Sequence, residues 1–270
     1  MRFRIQTLGL ALLMCSTAIA QEEKDPQACI PRPTTTTTST TPSSSPTALP
    51  KNFGMLVYRA FEMLDVFGPL DVLGMLARLH PMNLYLIGET MDPVTVEPVA
   101  AAMNPKNSSF FPVILPTHTY ATAPRDIEVL LIPGGLWTRS PHLNATISYV
   151  RTTYPRLRYL ISICTGASVA ARAGVLDGRR ATTNKASWAA TVALGGPGVE
   201  WVPRARWVAD GNVWTSSGVS AGIDATLAWV AEVFGEAEAG DITDLMEYER
   251  HTDSEWDPYA ERFNVTGGQE

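Results

Sequence analysis

The chain has 270 residues, a net charge of −6 at pH 7, 45% apolar residues and only three cysteines. That acidic balance, with no basic stripe and a distinctly acidic stretch from 232 to 257, argues against nucleic acid or an anionic membrane as partner. No apolar run reaches the roughly 20 residues that a membrane span needs.

Residues 1–20 have the layout of a secretory signal peptide. Arg2 and Arg4 precede a short apolar core at 8–14, and Ala18, Ile19 and Ala20 give a small-x-small cleavage pattern. Residues 21–50 read as a linker whose Thr/Ser/Pro tract (33–50) cannot bury enough apolar surface to offset its ordering entropy, and it resembles an O-glycosylated stalk. Sequons at Asn107, Asn144 and Asn264 suit a secreted, glycosylated protein. Residues 51–270 remain as one domain of roughly 220 residues, enough for a single core.

Within that domain, strands and helices alternate. Residues 53–58 read as a first strand. Residues 69–79 read as an amphipathic helix with Pro69 at its first position and Asp71 capping its first turn. A second strand spans 84–87, short strands or a hairpin excursion fill 94–117, and a buried strand at 127–132 runs into Pro133-Gly134-Gly135. A helix over 145–153, a strand over 159–163 and a helix after Cys164 follow. Then come a short strand near 180–183, a helix at 187–194, a hairpin of 201–208 and 212–214 joined across Asp210-Gly211, a long apolar helix at 221–234 and an acidic helix. This order implies an α/β fold with a mostly parallel sheet and helices on both faces. Sites in such folds lie at the carboxyl ends of strands, where Asp65, Gly134, Gly135 and Cys164 all fall.

Cys164 carries the chemistry in this reading. A thiol between an apolar strand and a helix start has the setting of a nucleophile elbow, and a helix N-terminus lowers a thiol pKa. The competing reading is a buried, inert core cysteine. Cys15 falls in the signal peptide and Cys29 in the linker, so Cys164 is the lone thiol of the domain; whether Cys29 pairs with another chain or with Cys164 stays open. The glycines at 134 and 135, with Thr165, offer backbone N–H groups around the nucleophile. The four histidines (His80, His118, His142 and His251) have no metal-ligand spacing, and neither metal nor cofactor is expected.

Several stretches together resemble the ThiJ/PfpI superfamily: LDVFGPLDV at 64–72, IPGG at 132–135, SICTGA at 162–167, AGVLDGRRATT at 173–183 and SGVSAGID at 217–224. LMEY at 245–248 is a weaker match, and the resemblance spans roughly residues 52–260, nearest to the isonitrile hydratase branch. It implies a flavodoxin-like fold, a small-molecule substrate and a homodimer with the active site close to the subunit interface. It also implies Cys164 as nucleophile and Asp65 as general acid/base, with the thiolate raising the Asp65 pKa so that the two share a proton. The thiolate would add to an isonitrile carbon, and water would then release an N-substituted formamide.

Two departures from relatives stand out. Thr165 replaces the histidine that follows cysteine in the protease-like, glyoxalase-like and deglycase-like relatives, which argues against those activities. Asn184 stands where the hydratase branch usually has histidine, and it can hydrogen-bond but cannot shuttle protons. The same domain resembles the ligand-binding half of some AraC-type regulators, yet no basic helix pair follows. A secreted, non-catalytic small-molecule-binding domain is therefore the alternative to an enzyme.

Overall fold

The computed structural model describes residues 48–265. The expected signal peptide and all but the last three residues of the linker, Cys29 included, lie outside them.

The described chain runs β1 (Asn52–Leu56), α1 (Met63–Leu76), β2 (Asn83–Gly88), β3 (Val94–Thr95), β4 (Val113–Ile114), β5 (His118–Thr119) and β6 (Val129–Ile132). It continues through α2 (Asn144–Thr153), β7 (Tyr159–Ser162), α3 (Ala167–Arg172), β8 (Arg180–Ala181), α4 (Trp188–Leu194) and β9 (Glu200–Trp201). β10 (Trp207–Asp210), β11 (Val213–Ser216), α5 (Ala221–Val233), α6 (Glu236–Leu245) and α7 (Pro258–Arg262) complete it.

Seven strands form one sheet in the order β10-β11-β7-β6-β1-β2-β5. All neighbours are parallel except the β10–β11 hairpin. Such a sheet is covered on both faces, which is why β6 and β11 are buried along their whole length and read as unbroken apolar or small-residue runs. Together with the helices this is the flavodoxin-like α/β architecture expected. Trp229 of α5 is fully buried and meets Phe53 of β1 and Tyr159 of β7 edge-on, tying one helical layer to the middle of the sheet.

The first helix differs from the sequence expectation. It begins at Met63, not Pro69, so Pro69 lies inside it and Asp71 sits exposed in mid-helix with no capping role. Asp65 is instead the acid of the first turn, next to the macrodipole's positive end. Pro69 has no N–H to offer the Asp65 carbonyl one turn back, a local cost that burial of Val66, Val72, Leu73 and Leu76 overrides. Propensity alone placed the start at the proline; tertiary packing extended the helix backwards and swung Asp65 into the interior.

The second correction concerns the hairpin region. Trp201 does not belong to the β10–β11 hairpin: β9 pairs with β8 in a separate small sheet, and residues 202–206 cross between the two. That crossing places Ala205 and Arg206 beside the 182–185 loop described below.

Candidate active site

β7 delivers Ile163 and then bends sharply at Cys164, whose φ is +56°. A non-glycine residue in the left-handed region is uncommon and costs of order 1 kcal/mol or more, so the surrounding structure must hold it there. Three contacts do so. Thr183 Oγ1 donates to the Cys164 carbonyl at 2.8 Å, and the Gly166 N–H donates to the Ile163 carbonyl at 2.8 Å. On the far side Gly222 of α5 packs so tightly on Ile163 that a Cβ there would stand 2.5 Å from its Cγ2.

Asp65 comes to the same point from α1. It is fully buried, and its Oδ2 accepts the Gly134 N–H at 2.8 Å. Its Oδ1 is buried with no hydrogen-bond partner among the described residues, and the Cys164 thiol lies near enough for each group to shift the other's pKa. Gly134 must be glycine, because a Cβ there would lie 2.7 Å from both Asp65 Oδ2 and the Thr165 nitrogen. Gly135 has φ +136°, and a Cβ would lie 2.3 Å from the Ala60 carbonyl.

Every residue expected at the site from sequence is therefore in one place, but the roles of the glycines change. The Gly134 N–H is taken by Asp65, and the Gly135 N–H donates to Thr165 Oγ1 at 2.9 Å. Neither amide remains free to bind a developing anion, so the two glycines position the acid and the threonine. The Thr165 backbone N–H does face the Cys164 sulfur. Asn184 does too: its Oδ1 accepts the Ser187 N–H at 2.9 Å, which turns the amide NH2 towards the sulfur and Gly218.

The electrostatics also differ from expectation. Burial, reinforced by the charge of Asp65, pushes the Cys164 thiol well above its ordinary pKa, and donation from the Thr165 N–H and Asn184 pulls it only partly back. The helix end does not win, because Cys164 is only 5% exposed and α3 is short. Asp65 is lifted to about 8, chiefly by burial and secondarily by Glu62; the Gly134 N–H and the Cys164 thiol lower it. Cys164 thus lowers the acid's pKa slightly and is not the negative charge that raises it. Near neutral pH the pair holds both protons, and the first to leave comes from Asp65.

Three residues not singled out from sequence complete the site. Tyr58 is buried at the end of β1 near Asp65 and Cys164, with its hydroxyl donating to the Pro133 carbonyl. Thr183 braces the elbow. Lys185 is 3% exposed; its Nζ donates to Thr182 Oγ1 (2.7 Å), the Thr183 carbonyl (3.1 Å) and the Ala205 carbonyl (3.1 Å). Asp257 Oδ2 lies 3.1 Å from Nζ as an ion pair without directed hydrogen-bond geometry. Burial still lowers the Lys185 pKa to about 8 against the pull of Asp257. A lone lysine in a polar stretch gave no sequence signal of burial. Among the described residues no cluster of His, Cys, Asp and Glu could hold a metal ion, and the histidines serve elsewhere: His80 pairs with Glu238 at 2.8 Å and His251 stacks on Trp256.

The raised pKa of Asp65 has a definite consequence for stability. It is about 8 when folded against 3.8 for an ordinary Asp, so the folded chain keeps a proton that the unfolded chain has lost. That contribution is complete below pH 4 and disappears as the pH climbs to 8, each pH step of one in between removing about 1.4 kcal/mol. Asp65→Asn keeps an acceptor for the Gly134 N–H and removes the titration. Urea unfolding at pH 5 and pH 8 should show the native chain losing several kcal/mol over that span while the Asn variant loses much less. Equal losses in both proteins would contradict the burial of this carboxyl.

Comparison with known proteins gives the family of this fold. Residues 53–232 match the DJ-1/PfpI family model. The chain is 33% identical to isonitrile hydratase of Pseudomonas putida over 198 residues, 72% of this chain and 77% of that protein. It is 34% identical to a deglycase of Pyrococcus horikoshii over a shorter stretch, 40% of this chain and 61% of the relative. The crystal structure of a ThiJ/PfpI family protein from Pseudomonas syringae superposes with a TM-score of 0.61 at 30% identity, covering 75% of this chain and 76% of that one. With two thirds of its length matched and the elbow cysteine in place, the chain belongs to the DJ-1/PfpI family.

Proposed function

We propose that the chain is a cysteine-dependent enzyme that hydrates a small isonitrile to an N-substituted formamide, with Cys164 as nucleophile and Asp65 as general acid/base. The observation that carries this reading is the pairing of a thiol on a strained left-handed elbow with a carboxyl whose pKa of about 8 lets it gain and lose a proton near neutral pH. Similarity to isonitrile hydratase over most of both chains supports the substrate class.

In this mechanism ionised Asp65 takes the thiol proton as sulfur attacks the terminal isonitrile carbon. It then delivers that proton to the same carbon, leaving a thioimidate, R–N=CH–S–Cys164. Water, deprotonated by Asp65, adds its oxygen to the thioimidate carbon while the nitrogen gains a proton. Collapse of the tetrahedral adduct expels the sulfur, which recovers a proton, and releases R–NH–CHO. The net change is addition of one water. Donors from the Thr165 N–H and the Asn184 amide stabilise the sulfur whenever it carries charge. Thr165 itself has no imidazole, and its hydroxyl is occupied with Gly135, which speaks against deglycase chemistry.

One observation favours the alternative, a non-catalytic binding domain: the thiol is 5% exposed and its pKa is raised. Kinetics separate the two readings. Cys164→Ala should abolish turnover with the fold intact, and Asp65→Asn should lower kcat by about two orders of magnitude. The rate should rise with pH through about 8 as Asp65 ionises. Undiminished turnover in Cys164→Ala would sink the nucleophile assignment; no turnover of any isonitrile, with Cys164 inert to iodoacetamide up to pH 9, would favour the binding domain.

The homodimer expectation rests on an exposed apolar rim and not on the core-facing side of α1. In the helix at 63–76, Leu73 and Leu76 are buried within the chain and Leu70 and Met75 pack against the core, so that face is already covered. Leu64 and Phe67 of α1, 41% and 43% exposed, lie instead on the open side, with Leu136 40% exposed beyond Gly135. Phe61 links them, bridging to Gly135 and meeting Phe67 edge-on. A second copy covering this apolar rim would close the approach to Asp65. Light scattering at micromolar concentration should give a dimer mass, and Phe67→Glu should shift it to monomer. A native monomer with full activity would remove the dimer as a requirement.

Export remains part of the proposal. Asn107, Asn144 and Asn264 are all exposed, so each sequon is open to a glycosyltransferase. Intact-mass analysis of the protein from a eukaryotic secretory host should show loss of residues 1–20 and added sugar. An unprocessed, unmodified intracellular chain would overturn export.

A further inference from the structure

A cavity of about 250 Å³ begins one residue from the elbow: Asn184 in its lining follows Thr183, whose hydroxyl donates to the Cys164 carbonyl at 2.8 Å. Its lining includes Asn184, Ala186, Gly218, Val219, Tyr259 and Phe263. Asn184 makes the connection: it lines the cavity, and its side chain, held by the Ser187 N–H at 2.9 Å, is close enough to Cys164 to pull the thiol's pKa down. A Cβ at position 218 would stand 3.1 Å from Asn184 Nδ2, so the bare glycine keeps the cavity face of that amide uncrowded.

Buried ion pairs form the inner wall of this partly open cavity. Lys185 and Arg206 both reach its wall, yet each is neutralised from behind. Lys185 pairs with Asp257, and Arg206 Nε donates to Asp224 Oδ2 at 2.6 Å. The backbone N–H of Arg206 also ties down the Ser254 carbonyl at 2.7 Å. Asp257 has a second duty: its Oδ1 accepts the Tyr259 N–H at 3.0 Å and caps α7, the helix that presents Tyr259 with Phe263 at its end. The same lysine that pins the Thr183–Asn184 turn at the thiol therefore also pins the cavity's outer wall. With both cations satisfied, the cavity gains nothing from an anion and presents mainly apolar surface.

We propose that this cavity receives the uncharged apolar substituent of the substrate while its reactive carbon lies at the Cys164 sulfur, and that Tyr259 and Phe263 of the C-terminal segment set the size accepted. This rests on the cysteine-enzyme reading for the reaction but not for the binding. The assignment makes the last described helix a specificity-determining element, although it lies beyond residues 53–232 that match the family model.

Calorimetry with N-benzylformamide and N-methylformamide tests the pocket without turnover. The native chain should bind the benzyl amide at least tenfold more tightly. Ala186→Phe, at an exposed lining position, should erase most of that preference, and Phe263→Ala should shift it towards bulkier groups such as N-(naphthylmethyl)formamide. Equal binding of the two amides, no measurable binding of either, or a benzyl preference untouched by both substitutions would overturn the proposal. Turnover of benzyl isonitrile is scored separately. A benzyl preference without turnover sinks the hydratase reading and leaves the pocket, whereas turnover without preference does the reverse.

Discussion

A carboxyl with no access to water is the constraint around which this domain is arranged. Asp65 is fully buried, with one oxygen on the Gly134 N–H and the other without an oxygen or nitrogen partner among the described residues, beside the thiol of Cys164. Burying an unpaired carboxylate is expensive, so the group answers by keeping its proton to about pH 8. That single adjustment converts an ordinary acid into one able to trade a proton with a sulfur at physiological pH. It also means that the domain accepts a loss of stability at the place where chemistry is proposed, the familiar relation between strained sites and function.

Strain on the thiol side matches it. Cys164 occupies a left-handed conformation that the parallel strands and the packing of Gly222 against Ile163 leave it no freedom to escape. Backbone economy around the pair is tight: the amides of Gly134 and Gly135 serve Asp65 and Thr165, so the donors left for the sulfur are the Thr165 N–H and the Asn184 side chain. Asn184 thereby fills, with a fixed donor, a place where a histidine could have moved protons. In the proposed mechanism Asp65 is therefore left as the group that moves protons.

Lys185 connects this centre with the C-terminal segment. One ammonium satisfies the loop that braces Cys164, the crossing strand through Ala205, and the acid that caps α7. Breaking such a buried pair by removing one partner typically costs about 3–5 kcal/mol, so the segment is held firmly although it is short and peripheral. The site and the cavity wall are consequently joined: the Lys185–Asp257 ion pair ties α7 to the Thr183 loop, whose hydroxyl holds the Cys164 carbonyl.

Much of this was written in local sequence. The apolar strand runs at 127–132 and 159–163, the glycines after Ile132 and the cysteine after Ile163 are legible because a parallel sheet buries its strands on both faces and opens only at their carboxyl ends. The family and the convergence of Asp65, Gly134, Gly135, Thr165 and Asn184 on Cys164 followed from motifs of that kind. What the sequence could not reveal was solvation. Whether a thiol at a helix start is a thiolate, whether a glycine N–H is free or taken, and whether a lysine in a polar stretch is exposed all depend on how many atoms of distant segments pack around the group. The early start of α1 belongs to the same class, since a proline's local preference yielded to the burial of Val66 and Asp65. Residue types and their order determined which groups meet; the tertiary structure decided their charge, because burial sets the free energy of ionisation and no stretch of local sequence records it.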